Sequence, residues 1–118
     1  MEIGDNDMVT KSWPYDYVFG PQCDNLFVFQ SVGQQLIDSA LDGYNTVLFM
    51  YGQTSSGKTF TLFGGSGVAG LVDHSMRSVY EGVMKSTEME YVIKMTFIEL
   101  YNEEIKVISY ETSMYIRS

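Results

Sequence analysis

Gly52-Gln53-Thr54-Ser55-Ser56-Gly57-Lys58-Thr59 places two glycines with four residues between them and follows the second directly with a lysine and a threonine. That is the pattern G-x-x-x-x-G-K-[ST], and each part has a physical use. Gly52 and Gly57 permit backbone angles that turn successive N–H groups inward, forming a nest for phosphate oxygens. A helix beginning at Lys58 adds donors that have no partner within the helix. Lys58 can reach the outer phosphates as a point charge, and the Thr59 hydroxyl can bind Mg²⁺. At ordinary amino-acid frequencies a random window matches this pattern about four times in 100,000. The chemistry to expect is binding of a nucleoside triphosphate with Mg²⁺, through residues Gly52, Gln53, Thr54, Ser55, Ser56, Gly57, Lys58 and Thr59.

Other reactive residue types are sparse. His74 is the only histidine and has no cysteine near it in sequence, so a metal site there is not expected. Cys23 is the only cysteine; it excludes an internal disulfide and reads as a reduced cytosolic thiol. Glu103 and Glu104 are adjacent, and adjacent strand residues face opposite ways, so they read as a solvated strand end. No catalytic residue is assigned.

The elements that must position the loop can be read around it. Thr46 to Tyr51 is a continuous apolar run, the pattern of a strand buried on both faces of a parallel sheet. Upstream, Tyr15 to Phe19 suggests a short strand ended by Gly20-Pro21. Asp24 or Asn25 can cap a helix running to about Leu41, with Phe29, Val32, Leu36, Ile37, Ala40 and Leu41 as its apolar stripe and Gly43 just past its end. After the loop, the helix from Lys58 is soon broken by Phe63-Gly64-Gly65-Ser66-Gly67, read as a flexible loop. A second helix fits Asp73 to about Met84, with Met76, Val79, Tyr80 and Val83 on one side. Tyr91 to Tyr101 is a strand dense in β-branched and aromatic residues. The order of elements points to α/β architecture.

The chain has 118 residues, a formal charge of −8 and seven basic residues, no two of them adjacent. Such a balance argues against direct contact with a polyanion, whether nucleic acid, anionic membrane or acidic polymer. No apolar run approaches the ~20 residues of a membrane-spanning helix, and Met1 to Asp7 is too acidic for a secretory signal.

From Tyr15 to Ile105 the sequence resembles the first part of a kinesin motor domain. Tyr15-Asp16-Tyr17-Val18-Phe19 is similar to the family's F-D-x-V-F, and Leu41-Asp42-Gly43-Tyr44-Asn45 to its L-x-G-Y-N. Tyr51 to Thr61 is similar to Y-G-Q-T-x-S-G-K-T-x-T, Gly70-Leu71-Val72 to the start of G-I-I-P-R, and Phe97 to Ile105 to x-x-E-I-Y-N-E-x-I. The resemblance implies a P-loop NTPase fold of α/β class, a parallel or mixed sheet with flanking helices, here incomplete. It implies ATP and Mg²⁺ as cofactors, microtubules as partner of the parent motor, and a cytoplasmic, cytoskeletal setting. It puts Phe60 where the family stacks an aromatic or His side chain near the adenine; packing into the core is the other use of that ring.

The departures shape the expected activity. Nothing in Met1 to Pro14 matches the family's R-x-R-P, Asp73-His74 replaces Pro-Arg, and the similarity stops after Ile105. The phosphate-sensing motifs N-x-x-S-S-R-S-H and D-L-A-G-S-E do not occur. Residues 1–14 are therefore expected to be frayed, 15–106 to form a partial motor domain, and 107–118 to be an uninformative tail. Binding without useful hydrolysis is expected. A stand-alone nucleotide-binding module and a remnant that binds nothing well are the alternatives.

Overall fold

The computed structural model describes residues 12–86 and 90–116. The first helix begins at Asn25 because Asp24 stands before it in extended geometry and its Oδ1 accepts the Phe27 N–H at 2.7 Å. Helix α1 (Asn25–Val28) passes through a π-helical turn (Phe29–Gly33) into α2 (Gln34–Leu41), so the expected helix to Leu41 forms with a change of winding in the middle. Gly33 makes that turn possible sterically, since a Cβ there would lie 2.5 Å from the Phe29 ring. Gly43 follows the helix at φ 95°, in the left-handed region expected of it.

Helix α3 (Lys58–Phe63) is short, and the stretch read as a flexible loop is instead an ordered hairpin, β1 (Gly64–Gly65) with β2 (Val68–Ala69), paired antiparallel. Its turn is held by Ser66 and Gly67, both at positive φ. Helix α4 (Leu71–Lys85) starts two residues before the expected Asp73. Asp73 does not cap it from outside; from inside the first turn its carboxylate accepts the Gly70 N–H at 3.0 Å.

These helices pack around a small core of Phe29, Leu71 and Val83. Gly82 lets α4 approach α2 closely, since a Cβ there would fall 2.4 Å from a methyl of Leu41. The Gln34 side-chain amide donates to Ser78 Oγ at 2.8 Å across the same contact. His74, half-buried, stacks on Phe29 with ring centroids 5.6 Å apart.

Strand β3 spans Tyr91–Tyr101, the expected range, and pairs antiparallel with β4 (Glu104–Ile116). Asn102 and Glu103 join them, both at positive φ (50° and 63°), which is the signature of a two-residue turn that matches strand twist. Glu103 thus sits in a turn rather than at a strand end. The tail, read as uninformative from 107 onward, is strand up to Ile116, in keeping with its β-branched and aromatic content. The expected frayed N-terminus falls mostly outside the described residues.

Two expectations fail. Tyr15 to Phe19 and Thr46 to Tyr51 carry no regular secondary structure and belong to no sheet, and no parallel sheet forms among the described residues. A strand is defined by its neighbours' hydrogen bonds, and no described segment lies alongside either run in register. Val47 is 80% exposed, Phe49 77% and Tyr51 91%, the reverse of the two-sided burial expected. The radius of gyration, 19.1 Å, exceeds the ~13 Å of a compact domain of this size.

Unpaired apolar backbone of this kind associates with itself. The isolated chain should therefore form oligomers that grow with concentration in light scattering, and Val47→Lys with Phe49→Lys should suppress them. A concentration-independent monomer would contradict this reading.

Candidate phosphate-binding site

The loop runs from the end of the unpaired apolar segment into α3. Gln53 to Ser56 closes a turn, with the Ser56 N–H donating to the Gln53 carbonyl at 3.3 Å, while Ser55 takes φ 63° inside it. Gly57 then sits at φ 89°, immediately before the first residue of α3. Nothing lies within 4 Å of where its Cβ would be, so glycine serves here for its backbone angles and not for space. At Gly52 both count, since its φ of 157° is one that other residues rarely adopt. A Cβ there would come 2.8 Å from Ser56 Oγ and 3.7 Å from Lys58 Cδ, filling the hollow beside the lysine.

The first helical bond at this end runs from the Thr61 N–H to the Gly57 carbonyl at 2.9 Å, so the N–H groups of Lys58, Thr59 and Phe60 precede the ladder. Lys58, half-buried, bends its ammonium back to donate to the Gln53 carbonyl, with Ser56 Oγ at 3.5 Å. Both partners are neutral oxygens. A groove of about 270 Å³ opens beside it, lined by Phe49, Met50, Tyr51, Ser56, Lys58 and Thr61. Thr59 and Phe60 are exposed and do not line that groove; a Cβ added at Gly65 would lie 3.6 Å from the Phe60 ring. No group of three or more His, Cys, Asp or Glu that could hold a metal occurs among the described residues.

This loop sits in a chain whose residues 2–109 match the kinesin motor domain. The chain belongs to the kinesin motor domain family. It is 38% identical over 98 residues to kinesin-related protein 11 of Dictyostelium discoideum, covering 82% of this chain and 14% of that protein. Over 107 residues it is 37% identical to kinesin-like protein cut7 of Schizosaccharomyces pombe, covering 84% and 10% respectively. It is 33% identical over 96 residues to human centromere-associated protein E, covering 81% and 4%. The chain thus spans no more than 14% of the length of these relatives. The family match takes in the stretch upstream of Tyr15, which lacks R-x-R-P, and passes Ile105.

In this kinesin segment one polar residue near the loop escaped the sequence reading. Asn25 was a candidate helix cap; Asp24 takes that role, and Asn25 turns inward to 6% exposure. Its amide nitrogen donates to the Phe60 carbonyl at 3.1 Å and the Ala69 carbonyl at 3.0 Å. The available signal was its spacing, since Asn25 lies four residues before Phe29 on the buried face of the same helix.

Proposed function

We propose that this chain is the ATP- and Mg²⁺-binding portion of a kinesin-type microtubule motor, with the phosphates held by Gly52 to Thr59. The observation that carries the reading is the G-x-x-x-x-G-K-T loop, with Gly57 in the left-handed region and Lys58 bent over it, in a chain of the kinesin family. Backbone N–H groups of the loop would face the phosphates, and Lys58 would leave its two neutral oxygens for phosphate oxygens, a stronger charge-assisted pairing. Thr59 would give the one protein oxygen on Mg²⁺, which ordinarily keeps waters and shares phosphate oxygens. Phe60, half-exposed, offers a ring face to the adenine. ATP when bound supplies the transferable phosphoryl group; this chain's residues bind and orient it.

Hydrolysis would need a positioned water and donors for the charge that develops in the transition state. The chain contains neither sensor motif of the family that would supply them. Microtubule contact belongs, in this reading, to the parent motor outside this acidic segment. The unpaired Thr46–Tyr51 run supports the second reading, a remnant that binds weakly, because the loop is then anchored on one side only.

Calorimetric titration with MgATP separates the two, since saturable binding supports the first reading and its absence the second. Phosphate release by the purified chain should be the same with and without microtubules, and the chain should stay in the supernatant when they are pelleted at moderate salt. Stimulated turnover would show that the chemistry lies in residues not assigned to it here.

A further inference from the structure

We infer that Asn25 is a positioning residue for the phosphate-binding helix, an inference that rests on the reading of Gly52–Thr59 as a nucleotide site. Both of its partners are backbone carbonyls, so the side-chain nitrogen, with its two hydrogens, is the group that serves them. The two acceptors lie on different elements, Phe60 within α3 and Ala69 at the end of β2. One buried side chain on α1 therefore ties α3 to the hairpin that follows it.

The Phe60 carbonyl is a telling point of attachment. Helix α3 has only six residues, too few to hold its own direction in water. Its Phe60 carbonyl also accepts the N–H of Gly64, the residue that ends the helix. Lys58 and Thr59 occupy the two positions just before Phe60, so fixing that carbonyl fixes the turn that carries both. Asn25 is in turn held by the Asp24 cap one residue earlier and by burial beside the Phe29 core. The loop side of α3 has no comparable anchor, because Thr46 to Tyr51 is unpaired. The clamp is thus the firm end of the site.

The test compares the full chain with Asn25→Asp and Asn25→Gln, using MgATP titration and hydrogen exchange read peptide by peptide. Aspartate keeps the shape but turns a double donor into an acceptor facing two carbonyls, leaving buried groups unsatisfied. It should weaken MgATP binding roughly ten- to a hundredfold, the scale of one or two buried hydrogen bonds. Exchange protection should be lost over Lys58–Phe63 and kept over Leu71–Lys85. Glutamine restores the donors on a longer arm and should recover most of the affinity. Lys58→Ala is the control for the underlying reading. If wild type and Lys58→Ala bind MgATP equally, or neither binds, the nucleotide site itself is refuted and the inference falls with it. If Lys58→Ala loses binding while Asn25→Asp retains it, the nucleotide site stands and the positioning role is overturned. Loss of protection across α3 and α4 together in both Asn25 variants would overturn it too, because Asn25 would then hold up the fold and not the site.

Discussion

Lys58→Ala is expected to lower MgATP affinity about a hundredfold while leaving the fold's stability almost unchanged. The two halves of that expectation come from the same geometry. The Lys58 ammonium rests on the Gln53 carbonyl and near the Ser56 hydroxyl, at an exposed loop where water can take its place. Removing it leaves no buried group unsatisfied, so little stability is lost. With nucleotide bound, the ammonium would face anionic oxygens instead. Hydrogen bonds to charged groups contribute about 1.5–3 kcal/mol each in net terms, and roughly 3 kcal/mol corresponds to a hundredfold. Lys58→Arg should recover only part of the loss, since a planar fork does not fit where a compact point charge is needed. Calorimetry measures the affinity and a urea titration the stability. Equal MgATP binding by the alanine variant and the parent would remove Lys58 from the site.

What could be read from sequence divides along a physical line. Local chemistry was legible: Gly43 and Gly57 take the left-handed angles expected of them, α3 starts at Lys58, and β3 spans Tyr91–Tyr101. Each depends on the residue itself or on a few neighbours. Thr46 to Tyr51 was misread because its apolar pattern reports what the run would do beside other strands, and no described segment supplies them. The end of the chain erred the other way. Its strand became visible only through Asn102-Glu103, a turn whose two positive φ angles bring β4 back along β3. Neither residue is the glycine that usually announces such a turn. Around the candidate site, the turn at Gln53–Ser56 and the left-handed Gly57 follow from the residues of the loop itself. The role of Asn25 was not legible, because it depends on two carbonyls 35 and 44 residues away.

Gly70→Ala should be among the most damaging single-methyl changes in this chain. The reason is space and not backbone angle, since Gly70 has φ −94°, which any residue adopts. A Cβ at this position would fall 2.4 Å from Gly64 N, from Leu62 O and from Phe63 C. All three are backbone atoms at the end of α3 and the start of β1, so no side chain can swing aside to make room. Relief would require moving α3 away from α4, and that movement would open the contact over Leu71, the one large side chain fully buried among the described residues. Overpacking ordinarily costs about 1–3 kcal/mol; with three immovable neighbours the upper end, about 3 kcal/mol, is the expected loss. For a chain of this length that lowers the urea midpoint of the helical signal by about 1–2 M. Gly65→Ala is the matched comparison, because a Cβ there would meet only the Phe60 ring, at the ordinary contact distance of 3.6 Å. Its midpoint should lie within about 0.3 M of the parent, the effect of a surface change of about 0.5 kcal/mol. If Gly70→Ala unfolds at the same urea concentration as Gly65→Ala, α3 and α4 are not in backbone contact at residue 70. The packing that sets the direction of the phosphate-binding helix would then have to be redrawn.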